Sequence, residues 1–139
     1  MKRIKSNNII SDGKILSGYV YYEDGKIKAV CADELLFAEE IDVGDCYVSA
    51  GFIDIHTHGG GGYPFEGSVD DIIGGVNFHL GHGTTSICPT ISASPINDMC
   101  RSLDNVRAAM ADERVLGNII GAHLEGPYLS LDQTGAQAG

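Results

Sequence analysis

Residues 48–62, VSAGFIDIHTHGGGG, constrain this chain more than any other stretch. An apolar run ends in His56-Thr57-His58 and passes directly into four glycines. Read as a strand, with residues two apart on one side, it puts Phe52, Asp54, His56 and His58 on one face and Ile53, Ile55 and Thr57 on the other. Two imidazoles then leave the strand end in parallel, close enough to hold one ion between them. The glycines let backbone pass near that ion with no side chain in the way. Imidazole suits first-row metals, zinc above all. A His-x-His pair alone is common, and two histidines at a strand end can be plain surface residues. The apolar run before the pair and the glycines after it favour the metal.

Downstream the pattern alternates strand, helix, strand, helix, strand. Residues 51–58 lead through the glycine loop to a helix from about Val69 to Leu80. Ser68 is its N-cap, Asp71 lies three residues on, and Gly81 or Gly83 closes it. Residues 84–89, TTSICP, form a short β-rich run. Ser94-Pro95 opens a second helix, serine as cap and proline in the first position, running to about Ala111. Residues 115–125, VLGNIIGAHLE, are a third strand ending at Gly126-Pro127. Alternation of this kind implies parallel strands joined by helical crossovers.

The third strand ends as the first does. His123 and Glu125 share one parity, Ala122 and Leu124 the other. Parallel α/β sheets gather the carboxyl ends of their strands at one face, where sites lie. His56, His58 and Glu125 can therefore converge on one metal centre. His123 lies two residues deeper, which suits a hydrogen-bonded interior role better than ligation, and Asp54 suits an outer-shell role. His79 and His82 fall on or after the first helix with no carboxylate partner in view, so surface or capping roles are expected. Residues 59–62 are no phosphate loop, because no Gly-Lys-Ser/Thr follows.

Residues 1–48 read as a small β unit. Runs at 4–10, 18–22, 26–30 and 41–48 are rich in Ile, Val and Tyr, and Asp24-Gly25 is a tight-hairpin signal, with a similar Asp12-Gly13 earlier. No catalytic cluster appears there, and its acids and lysines read as a solvated sheet face. The four cysteines are widely spaced without Cys-x-x-Cys, which reads as reduced, mostly buried thiols in a cytoplasmic protein. There is no apolar run long enough to span a membrane and no secretory h-region. A net charge of −10 argues against nucleic acid or anionic membrane as the main partner.

GFIDIHTHGGGG at 51–62, GTTSICPT at 83–90 and GAHLEGPYLS at 121–130 together resemble the N-acetylglucosamine-6-phosphate deacetylases of the amidohydrolase superfamily. The His-x-His signal alone reaches only the superfamily. His-Leu-Glu-Gly-Pro, followed by Gly135-Ala136-Gln137, points to the deacetylases. The resemblance implies an α/β fold: the first part of a metal-dependent hydrolase (β/α)8 barrel, preceded by a small β-sandwich-like segment. Residues 1–48 would be part of that small domain and 49–139 the first three βα units, leaving the barrel incomplete.

By the same resemblance Glu125 is the primary metal ligand, and His56 and His58 match a pair that binds a second ion in some members. Ala136 and Gln137 match positions that contact the sugar. The cofactor is a divalent metal, zinc first, with iron, manganese or cobalt as alternatives and one or two ions. The remaining ligands, the phosphate-binding residues and the general acid/base aspartate are expected beyond position 139, so the chain alone is expected to be inactive. The implied reaction is hydrolysis of the acetamido group of N-acetylglucosamine 6-phosphate, a small-molecule substrate, by a homo-oligomer, taken as a dimer. The rivals are another amidohydrolase of the hydantoinase, dihydroorotase or deaminase kind, and a non-catalytic metal-binding or assembly module.

Overall fold

Asp12-Gly13 and Asp24-Gly25 each put two successive residues at positive φ, +50° and +71°, then +51° and +70°. That is the backbone a two-residue hairpin turn needs, because its twist matches that of the flanking strands. In the computed structural model, which describes residues 1–137, these turns join three antiparallel strands: β1 (Lys2–Ser11), β2 (Lys14–Glu23) and β3 (Lys26–Cys31). All three outrun the sequence expectation by one to several residues. Residues 41–48 do not form one strand. β4 (Glu39–Asp42) and β5 (Tyr47–Val48) pair in parallel with successive halves of β1. Between them the Gly44 N–H donates to Asp42 Oδ1, and Gly44 takes φ +57°, so the chain turns out of the ladder.

The charges of this unit are not all solvated. Arg3 is buried, with its guanidinium over the rings of Tyr19 and Phe37 at 4.2 and 3.4 Å from their centroids. Burial works against its charge, and hydrogen bonds to Tyr21, Glu34 and Glu40 more than offset that, raising its pKa. An apolar groove of about 380 Å³ lies in the same unit, lined by residues that include Ile4, Ile9, Val20, Val30 and Val48.

The chain divides between Ala50 and Gly51 into two units. The second opens with β6 (Phe52–Thr57), the short hairpin β7 (Gly59–Gly60) and β8 (Tyr63–Pro64), and helix α1 (Val69–Leu80). The Ser68 hydroxyl accepts the Asp71 N–H, and Asp71 accepts the Ser68 N–H in return, so the expected cap is a complete capping box. β9 (Thr84–Ser92) runs three residues past Pro89, where the sequence reading stopped it. Helix α2 (Ile96–Met110) is capped by Pro95 itself, with no side-chain bond from Ser94; the helix starts one residue later than expected.

The third strand is two pieces, β10 (Asn118–Ile119) and β11 (His123–Glu125), and both pair in parallel with β9. β6 pairs in parallel with the other side of β9. β9 is therefore the central strand. Ile87, Pro89 and Ile91 on it are buried, and Ile87 and Ile91 join a core with Phe65, Ile72, Val76, Met99, Val106 and Ile119. That core draws on both helices and holds the sheet from one side. The opposite parity of β9, Ser86, Cys88, Thr90 and Ser92, faces away from it.

All four cysteines are free. Cys31 and Cys88 are half-buried and Cys46 and Cys100 exposed, so the expectation of mostly buried thiols fails: their positions fall in strand margins and on helix surface.

Candidate metal centre

The pairing His123↔Thr90, Leu124↔Ile91 and Glu125↔Ser92 puts His123 and Glu125 on the face away from the helices. On β6 strict alternation does not hold. The β6–β9 register shifts between Phe52 and Ile53 and again between Asp54 and Thr57, and Asp54 pairs with the core residue Ile87. Burial follows that break: Phe52, Ile53, Ile55 and His56 are exposed while Asp54 and Thr57 are half-buried. The second shift sits at the start of the histidine pair, and both histidines reach Glu125.

Glu125 Oε2 lies 3.2 Å from His58 Nε2 and 3.6 Å from His56 Nε2. The three donor atoms all fall within 4.8 Å of one another. Two ligands each about 2.0–2.1 Å from a tetrahedral ion stand about 3.3–3.4 Å apart, so the carboxylate is spaced from each imidazole as a shared ion requires. The other ring nitrogen of His58, Nδ1, is 3.1 Å from Ser92 Oγ. A ligating imidazole is usually oriented in that way, one nitrogen tied to the scaffold and the other facing the ion. Gln137 Nε2 donates to Glu125 Oε2 at 2.8 Å while its Oε1 accepts the Ala93 N–H at 3.1 Å. The donors are accessible, with side chains 49%, 47% and 32% exposed for His56, His58 and Glu125. The donor set and its spacing fit a divalent ion.

Asp54 and His123 sit around this trio. Asp54 Oδ1 accepts the His56 N–H at 3.0 Å. The His123 ring packs against His56 at a tilt of 46°, ring centroids 4.4 Å apart, and its Nδ1 lies 3.3 Å from Thr90 Oγ1. His79 and His82 stay out of the site. His79 Nε2 contacts the Gly59 carbonyl at 3.1 Å and pins the glycine loop, and His82 Nδ1 contacts the Phe78 carbonyl near the end of α1 at 2.8 Å. Ala136 is exposed, and the Gln137 side chain is engaged by Glu125 and Ala93.

Sequence reasoning missed Thr90, Ser92 and Glu66, whose Oε1 accepts the Ser92 N–H. A signal for the first two exists: in residues 86–92, SICPTIS, polar and apolar positions alternate with period two apart from Cys88. The groove of the first unit plays no part in this chemistry, since its lining contains no His, Cys, Asp or Glu.

Residues 47–138 match the amidohydrolase family. The chain is 31% identical over 136 residues to the N-acetylglucosamine-6-phosphate deacetylase of Bos taurus, covering 92% of this chain and 33% of that protein. With the enzyme of the same name from Bacillus subtilis it shares 32% over 142 residues, covering 96% and 36%. The structure of a mutant Mycobacterium smegmatis N-acetyl-D-glucosamine-6-phosphate deacetylase, in complex with N-acetyl-D-glucosamine-6-phosphate, superposes with a TM-score of 0.81 at 26% identity, covering 99% of this chain and 35% of that one. The chain spans about a third of the length of the curated relatives it matches.

Proposed function

The chain belongs to the amidohydrolase family, and on that premise we propose that it supplies the metal-holding strands of an enzyme that converts N-acetylglucosamine 6-phosphate to glucosamine 6-phosphate and acetate. In this reading β6, β9 and the β10–β11 pair are the first three strands of a (β/α)8 barrel, and the N-terminal strands are part of a separate small β domain. The observation that carries it is the meeting of His56, His58 and Glu125 at the carboxyl ends of parallel strands. Relatives bearing the deacetylase name support the choice of substrate.

Glu125 is assigned as the primary ligand and the only anionic one of the three, with His56 and His58 completing the set. When bound there, a divalent ion, zinc in this proposal, supplies Lewis-acid polarisation of the amide carbonyl and a nucleophile at neutral pH. Ser92 holds His58 with Nε2 toward the site, and Gln137 holds Glu125 Oε2 in place. Ala136 and Gln137 are assigned to the sugar, through backbone and side chain. For Gln137 that contact exchanges one of its present bonds, to Glu125 or to Ala93. The proton carrier is assigned to a residue outside this chain.

The test joins this chain to the remaining barrel of its Bacillus subtilis relative and follows acetate release from N-acetylglucosamine 6-phosphate, beside hydantoin hydrolysis. Zinc-dependent deacetylation that Glu125→Ala abolishes is the expected result. A folded chimera that prefers the hydantoin, or one in which Glu125→Ala keeps both metal and activity, would overturn the proposal.

A further inference from the structure

The β6–β9 register shifts between Asp54 and Thr57, and side chains take up the backbone donors of His56 and Thr57 there. The His56 N–H goes to Asp54 Oδ1 at 3.0 Å, and the Thr57 N–H goes to Thr90 Oγ1 at 2.9 Å. The Thr90 oxygen is fully buried and also lies 3.3 Å from His123 Nδ1. Those are its two partners among the described residues. We propose that Thr90 is the positioning residue of this site: its hydroxyl fixes the backbone between His56 and His58 and holds His123 as the Nε2–H tautomer, a brace for His56 and not a ligand.

The tautomer follows from counting hydrogens. A backbone N–H can only donate, so Thr90 Oγ1 accepts from Thr57. Its own hydrogen then needs an acceptor, and His123 Nδ1 is the one in reach. Were Nδ1 to carry the proton, Oγ1 would accept twice and its hydrogen would be buried without a partner, losing the hydration it has in water. With Nδ1 accepting, neutral His123 carries its proton on Nε2, which leaves that nitrogen no lone pair for an ion. By distance too, His123 falls outside the trio of converging donors. Its ring packs on His56 at 4.4 Å. Among the described residues His56 has no scaffold bond at its other ring nitrogen comparable to that of His58 with Ser92, so the ring contact with His123 is what braces it. The order of support runs from Thr90 to His123 to His56.

Only the metal-affinity part of this inference rests on the proposed function. In metal-free, histidine-labelled protein, ¹H–¹⁵N correlation spectra read each tautomer, whatever the protein does. His123 should be the Nε2–H form in wild type and in Thr90→Ser, and should lose that bias in Thr90→Val. Zinc affinity should fall about 10- to 100-fold in Thr90→Val, as for loss of an outer-shell partner, and return close to wild type in Thr90→Ser. An Nδ1–H His123 in the wild-type protein, or a Thr90→Val protein that binds zinc as wild type does, overturns the assignment. Should Thr90→Val not fold, the wild-type tautomer and the Thr90→Ser affinity decide it. A wild-type chain with the expected tautomer that takes no zinc refutes the metal reading while leaving the hydroxyl's hold on His123 in place.

Discussion

Exchanging Glu125 for glutamine keeps the size of the side chain and removes its charge. Oε2 stands 3.2 and 3.6 Å from the two Nε2 atoms, so it is the one anionic donor of the trio. Zinc sites with an open coordination position normally use three protein ligands, and a neutral amide oxygen is a poor substitute for a carboxylate. The variant leaves two imidazoles, each about half exposed to competing water. Gln137 adds to the loss: its Nε2 already takes one lone pair of the Oε2 position, and an amide oxygen there has no charge to share between that bond and an ion. The expected fall in zinc affinity is about 100-fold, or about 2.8 kcal/mol. Competition against a chromophoric chelator measures it, with circular dichroism to show that the fold is kept. Asp70→Asn, which removes a carboxylate on the exposed start of α1, serves as the control and should bind as wild type does. Affinity in Glu125→Gln within about threefold of wild type, under 1 kcal/mol, would refute the ligand assignment.

Ile87 is enclosed by the core on the central strand, and Ile87→Ala should lower stability to urea by about 2–5 kcal/mol, while a shift under 1 kcal/mol would mean that the site collapses around the loss. Asp112 is held at about 2 by hydrogen bonds from the Arg114 side chain and backbone N–H. Its folded pKa lies below the unfolded value near 3.9, so its contribution is present above about pH 4 and is lost as pH falls toward 2. The urea midpoints of wild type and Asp112→Asn should therefore differ at pH 6 and converge near pH 2; parallel curves would contradict this. The chain alone, with zinc added, should release no acetate from N-acetylglucosamine 6-phosphate, because its donors stand on an open sheet face and a misplacement of about 1 Å already costs some hundredfold in rate. Turnover within about tenfold of the Bacillus subtilis relative would show that the open face suffices.

Helix α1 was legible because everything that bounds it is local: Ser68 and Asp71 close the capping box within four residues, and Gly81 follows the last turn. The hairpins were legible for the same reason, since Asp-Gly carries its own backbone preference. What failed was non-local. Nothing in the neighbourhood of Arg3 announces a cage built by Tyr19, Phe37, Glu34 and Glu40. A β-rich run at 41–48 says nothing about which half pairs with which part of β1. On β6 the two-residue period predicted a common face for Asp54 and the histidines, and the register shift against β9 between Asp54 and Thr57 interrupts that period. On β11 the same period held, because the pairing with β9 is regular there.

His56, His58 and Glu125 could be singled out as candidate donors from residue type taken with its setting, an apolar run before the histidine pair and glycines after it, and a Gly-Pro directly after Glu125. Their support could not, because threonine and serine on a strand are also ordinary β formers. Yet the support is what sets the geometry. Neighbouring strands stand about 4.7–4.9 Å apart, so β6 and β11, separated by β9, have backbones about 9–10 Å from each other. His56 and His58 must reach over β9 to meet Glu125. That requires short side chains on β9 beneath them, and Thr90 and Ser92 occupy those positions on the same face. Both also bond upward, Thr90 to Thr57 and His123, Ser92 to His58. The strand that contributes no donor to the trio thus both clears the space for the site and orients what fills it.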